Sequence, residues 1–113
     1  MGMGRMVALI EKEEGLICHY CKKPLKEGKI TVDHVVPRKL GGRDTLENLV
    51  LACQTCNSQK RDKSLATFLT LRKLEKLEVP GVRKIALDDE KFTLVIDRGV
   101  KLKKISKLID PLL

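Results

Sequence analysis

The chain has 113 residues and a formal net charge of +8, and it is 42% apolar but only 3% aromatic. That length suits one small domain whose core must come from Leu, Ile and Val, near the size where a metal or a partner often adds stability. No apolar run approaches the ~20 residues of a membrane-spanning helix. The start, "MGMGRMVALIEKEEG", lacks the apolar centre of a secretory leader, and Met6 stands where acylation of Gly2 would need Ser or Thr. A cytoplasmic protein with no membrane partner is expected.

Residues 5–14, "RMVALIEKEE", have helix-forming composition, with Gly15 where helices commonly end. "ITVDHVVP" (30–37) is rich in β-branched residues and predicts a short strand ending towards Pro37. "RKLGGRDT" reads as a loop reversed at Gly41-Gly42. Asp44 and Glu47 have the spacing of a capping pair and predict one turn of helix at "TLEN". "NLVLAC" predicts a strand returning beside the first, and "CNSQKRDK" opens a helix. From Ser64, Leu65, Phe68, Leu69, Leu74 and Leu77 recur near helical spacing and are expected in the core, the helix ending before Pro80-Gly81. "RKIALDDEKFTLVID" predicts a hairpin. "VKLKKISKLID" predicts a last helix with Leu102, Ile105, Leu108 and Ile109 on one face.

All four cysteines sit in two C-x-x-C pairs, "CHYC" (Cys18, Cys21) and "CQTC" (Cys53, Cys56). Two residues between thiols let one tight turn aim both sulfurs at one ion, and two such turns build the tetrahedral site of structural Zn²⁺. Two redox disulfides are the competing reading. His19, inside the first pair, could replace a thiolate as ligand, but with four cysteines present a place on the surface or beside the ligands is expected.

The segment pinned between these pairs contains "VDHVVPRKLGG". From "CHYC" through "TVDHVVPRKLGGRDTLENLVLACQTCNSQKRDKS", the chain resembles the HNH endonuclease family in its zinc-knuckle form. The resemblance covers roughly residues 5–69 and implies an α+β fold: a ββα-metal module stapled by the four-cysteine zinc site. Residues 1–69 would be that module. Residues 70–113 would be an extension packed on the same domain, with the hairpin and the C-terminal helix and no assigned role.

By motif position, the resemblance makes His34 the general base and Asn48 the residue that braces the loop and orients it. Asn57 stands in the third place, often His, so this is an H-N-N pattern. With Asp33 it would hold one Mg²⁺ or Mn²⁺. A histidine can take a proton from water near neutral pH, and hard oxygen donors suit Mg²⁺. The implied reaction is hydrolysis of DNA phosphodiester bonds to 5′-phosphate and 3′-hydroxyl ends. Neighbours on a regular strand face opposite sides, so Asp33 and His34 can serve one phosphate only if the strand bends or ends there.

The positive excess is shared between residues 15–64 and 65–113 rather than held in a tail, which favours a polyanionic partner such as DNA. Arg38, Lys39 and Arg43 in the loop, with Lys60, Arg61 and Lys63 on a basic helix face, are the candidate phosphate contacts. A zinc-stapled module that binds nucleic acid without cutting is the alternative. One module offers one active site, so cutting both strands would call for a homodimer or a second encounter.

Overall fold

A computed structural model describes residues 3–113; the Met1-Gly2 start read for acylation lies outside the described residues. The chain divides into two compact units, the first ending at Ser64 and the second running Leu65–Leu113.

In the first unit, helix α1 (Met3–Glu14) stops at Gly15, whose φ of 80° suits a residue without a side chain. Strand β1 (Ile30–His34) and strand β2 (Leu49–Cys53) form an antiparallel pair with Thr31 opposite Ala52, Asp33 opposite Val50 and His34 opposite Leu49. β2 is apolar at successive positions because Leu49, Val50, Leu51 and Ala52 are all buried, as expected of a strand covered on both faces. α1 packs on β2, and helix α2 (Gln54–Lys60) packs on both strands. Ile10, Leu25 and the two most enclosed cysteines, Cys18 and Cys56, complete this core.

Between the strands the chain makes a short 3-10 turn (Arg38–Leu40), then reverses at Gly41, whose φ is 94°. Gly42 must be glycine for a different reason: a Cβ there would lie 1.7 Å from the Val36 carbonyl oxygen and 2.9 Å from Asn48 Nδ2. The helical turn expected at "TLEN" is instead a hydrogen-bonded turn, Asn48 N–H donating to the Thr45 carbonyl at 2.9 Å. Asp44 does not cap it, because its carboxylate is engaged by His34 and Arg38.

The second unit has its own apolar core. Helix α3 (Leu65–Lys76) is followed by a hairpin of β3 (Val82–Leu87) and β4 (Phe92–Ile96), turned by Asp88, whose carboxylate accepts from the Glu90 and Lys91 amides. Helix α4 (Leu102–Ile109) sends Ile105 and Ile109 inward to join Leu74 and Val79, and the hairpin residues Ile85 and Leu94 pack against them. Of the four apolar residues expected on one face of α4, two are exposed. Leu102 and Leu108 flank the Ile105–Ile109 line at the helical repeat, so only the central pair points into the core. Within α3, Phe68 and Leu74 are buried while Leu69 is exposed. Leu77, also exposed, falls beyond the helix end. Among the described residues, no helix is long and apolar enough to cross a membrane.

Candidate active site and metal centre

The four sulfurs of Cys18, Cys21, Cys53 and Cys56 lie within 4.8 Å of one another, and Cys21 and Cys53 are 4.0 Å apart. A tetrahedral ion with Zn–S bonds of about 2.3 Å requires sulfurs roughly 3.8 Å apart, so the donor set fits zinc with little adjustment. Convergence of all four on one point is what one ion demands and two disulfides do not. The backbone prepares the site. The Leu51 carbonyl accepts the His19 amide at 2.8 Å, tying the first knuckle to β2, and Lys22 takes a positive φ of 63° to close that turn. The Cys53 sulfur accepts from the Cys56 amide at the start of α2, so a metal-binding group also caps a helix. Burial opposes ionisation of the Cys18 thiol, but backbone donors from Cys21, Cys53 and Tyr20 outweigh it and bring the pKa down to about 6. His19 stands apart from the sulfurs, 3.6 Å from Glu14.

β1 carries Asp33 and His34 to its end, and the two side chains meet different partners. Asp33 is buried. Its Oδ2 accepts from the Tyr20 hydroxyl and lies 3.0 Å from Lys60 Nζ. The same ammonium donates to the His34 carbonyl at 2.9 Å, so Lys60 ties the acid's side chain to the histidine's backbone. Burial first, then the hydrogen bond to Asp33 and that acid's charge, push the Tyr20 phenol well above its ordinary pKa, keeping it a donor. His34 is turned to the loop side, its Nε2 2.6 Å from Asp44 Oδ1. Arg38 grips that carboxylate with Nε at 3.0 Å and Nη2 at 2.6 Å.

Asn48 spans the loop. Its Oδ1 accepts from the Val36 amide at 2.8 Å, and its Nδ2 donates to the carbonyls of Val36 and Arg43, both at 3.0 Å. Its backbone carbonyl also accepts the Val35 amide. Asn57, in α2 one turn before Lys60, lines a shallow polar depression with Thr31, Gln54 and Ser58. Thr31 and Asp33 share a strand face by alternation. Asn57 and Asp33 are therefore both associated with the side of β1 that carries α2, while His34 is engaged by the loop.

The expected basic face divides. Lys60 is not on it: the ammonium is fully enclosed, because Asp33 is buried beside it and needs a counter-charge. Lys39 pairs with Asp62 at 3.3 Å, and Lys63 donates to the Gln59 carbonyl at 3.1 Å. Arg38 is taken up with Asp44, whereas Arg43 and Arg61 are exposed. Sequence reasoning missed three members of this site: Tyr20, Asp44, and Lys60 in its buried role. Only Tyr20 carried a hint, as the single tyrosine, set between the first two cysteines.

The four clustered cysteines, the Asp-His strand end, the braced loop and the Asn-bearing helix lie within a match to a family model. The HNH endonuclease model covers residues 18–63. That segment is similar to the HNH endonuclease family. A stretch of 63 residues, 55% of the chain, is 35% identical to the CRISPR-associated endonuclease Cas9 of Corynebacterium diphtheriae, and the chain spans 6% of that protein's length. The HNH match starts at Cys18 and ends at Lys63, so the zinc cysteines, β1, the loop, β2 and α2 all lie inside it.

Proposed function

We propose that the HNH segment is a metal-dependent endonuclease that hydrolyses DNA phosphodiester bonds. The observation that carries this reading is the strand end. A histidine held by a carboxylate at one ring nitrogen adjoins an acid braced through one oxygen, beside a helix that presents an asparagine amide. His34 takes a proton from water, and the resulting hydroxide attacks phosphorus. The bond from phosphorus to the 3′-oxygen breaks, and that oxygen is protonated as it leaves, giving 5′-phosphate and 3′-hydroxyl ends. Asp33, through the Oδ1 that Lys60 and Tyr20 do not engage, and Asn57 would hold one Mg²⁺ or Mn²⁺. When bound, that ion supplies charge neutralisation at the phosphoryl group and the leaving oxygen. Asn48 acts through the loop it braces and touches no substrate.

Arg43 and Arg61 are exposed and would meet phosphates, as would Lys39 and Lys63. A reducing, cytoplasmic setting keeps four thiols available to zinc. One site per module makes a nick the primary product, and linear DNA then needs two chains, as in a homodimer, or two encounters. A non-cutting binding module is favoured by one feature: Lys60 already neutralises Asp33, the acid an ion would use. Supercoiled plasmid incubated with the zinc-loaded protein in Mg²⁺, Mn²⁺ or EDTA, beside His34→Ala, separates the two. The nuclease nicks only with the ion, and the variant binds without cutting. If the wild type binds and leaves DNA intact with every ion, the binding module is the correct reading.

A further inference from the structure

The Asp44 carboxylate takes no step in the reaction just described. Asp44 lies ten residues beyond His34, in the turn after the two glycines, and its Oδ1 comes within 2.6 Å of His34 Nε2. Its second oxygen is occupied as well, since the Arg38 fork spans both. A carboxylate so gripped has one orientation. We propose that Asp44, clamped by Arg38, is the positioning residue of this site: it fixes the His34 ring with the proton on Nε2 and leaves Nδ1 as the base. The inference rests on the nuclease reading and deepens it.

An ionised carboxylate is an acceptor only, so its 2.6 Å approach favours a hydrogen on Nε2, against the longer 3.5 Å approach of Arg38 Nε to the same nitrogen. In the neutral ring the lone pair then belongs to Nδ1. When Nδ1 takes its proton, the imidazolium already faces an anion. Hydrogen bonds from His34 first, and then Arg38, hold the Asp44 carboxyl below the usual carboxylate range, so it stays ionised wherever the ring can act as a base.

The loop is built to deliver this carboxylate. Gly42 lets the chain pass against the Val36 carbonyl, where any Cβ would collide. The Asn48 amide ties Val36 to Arg43, the residue before Asp44, so the acid is presented from a braced frame. Stability does not explain the arrangement. The Arg38 and Asp44 side chains are 69% and 59% exposed, and ion pairs so open to water contribute little to folding. The His34 side chain is only 25% exposed, so what the pair controls is a ring with restricted freedom.

The test uses the full zinc-loaded chain with Asp44→Ala, Asp44→Glu and the wild type. Plasmid cleavage provides kcat and KM, and long-range ¹⁵N–¹H spectra report the tautomer of each histidine. With two histidines in the chain, His19 is an internal control for an intact fold. The wild type is expected to show His34 as the Nε2–H tautomer. Asp44→Ala is expected to mix the tautomers and lower kcat by about 10–100-fold with little change in KM, with Asp44→Glu restoring part of both. Cleavage by Asp44→Ala at the wild-type rate or faster, or an unchanged His34 tautomer, overturns the inference; a faster variant would mark Asp44 as a lock on the ring. A failure of the nuclease reading looks different, since the wild type then leaves DNA intact with every ion, while the spectra still decide whether Asp44 sets the ring.

Discussion

Replacing Lys60 with methionine separates the buried role of this lysine from the surface role its sequence suggests. The ammonium is fully enclosed, 3.0 Å from Asp33 Oδ2 and 2.9 Å from the His34 carbonyl, and the Asp33 side chain is itself only 8% exposed. Methionine retains most of the aliphatic volume but leaves the carboxylate with the Tyr20 hydroxyl as its remaining polar partner. Breaking a buried ion pair by removing one member costs about 3–5 kcal/mol, because the other charge stays desolvated. That is a large share of the ~5–15 kcal/mol that holds a small domain together. Urea unfolding at a fixed, saturating zinc concentration should show this loss. The Asp33→Asn/Lys60→Met double variant should lose less than the two single variants combined, with a coupling of about 1–3 kcal/mol. DNA affinity measured against salt concentration should keep its slope. A stability loss below about 1 kcal/mol, with a salt slope reduced by about one, would instead make Lys60 a phosphate contact and refute the buried pair.

Removing zinc should unfold the β1–β2–α2 module, since structural zinc sites supply a large part of the folding energy of such small units. Metal analysis is expected to find one zinc per chain, lost on Cys56→Ser, and a chain that stays folded without zinc would contradict the four-sulfur site. Gly42→Ala should destabilise by more than about 1 kcal/mol, as expected where backbone must move to relieve a clash; Gly4→Ala, with open space around its Cβ, should be neutral or slightly stabilising. Equal midpoints for the two variants in thermal unfolding would refute the close approach at Val36. Asp44 should titrate below its ordinary 3.8 in a ¹³C carboxyl titration, and Arg38→Ala should move it up. Because its folded pKa is depressed, its support for the loop is complete above the unfolded value and is lost as pH falls through the lowered one. Titration at or above 3.8 would mean the His34 and Arg38 contacts do not persist.

Much of this molecule follows from short-range pattern. The two C-x-x-C pairs, the β-branched run before Pro37, the glycine after α1 and the Asp-Asp-Glu turn of the hairpin all act within a few residues of where they are written. A turn, a strand or a pair of thiols is specified by local backbone preference, so spacing alone located them. The helix expected at "TLEN" failed for a reason of the opposite kind. Asp44 has the right spacing to cap a turn, but a histidine and an arginine from the far side of the loop bind its carboxylate.

Tertiary structure decided which charges are buried and which partners they take. Lys60, Arg61 and Lys63 look alike along the chain, yet α2 packs on β1 with one of them turned inward, to Asp33, distant in sequence but adjacent in space. Tyr20 reaches Asp33 only because the first knuckle is tied to β2 through the Leu51 carbonyl. Desolvation and ion pairing depend on what lies within a few ångströms in the folded chain, across separations of ten to twenty-seven residues that carry no periodic signal. The sequence by itself therefore determined most of the elements, the four clustered cysteines and the family motif. The packing of β1 against α2 and the loop determined how Asp33 and His34 are held.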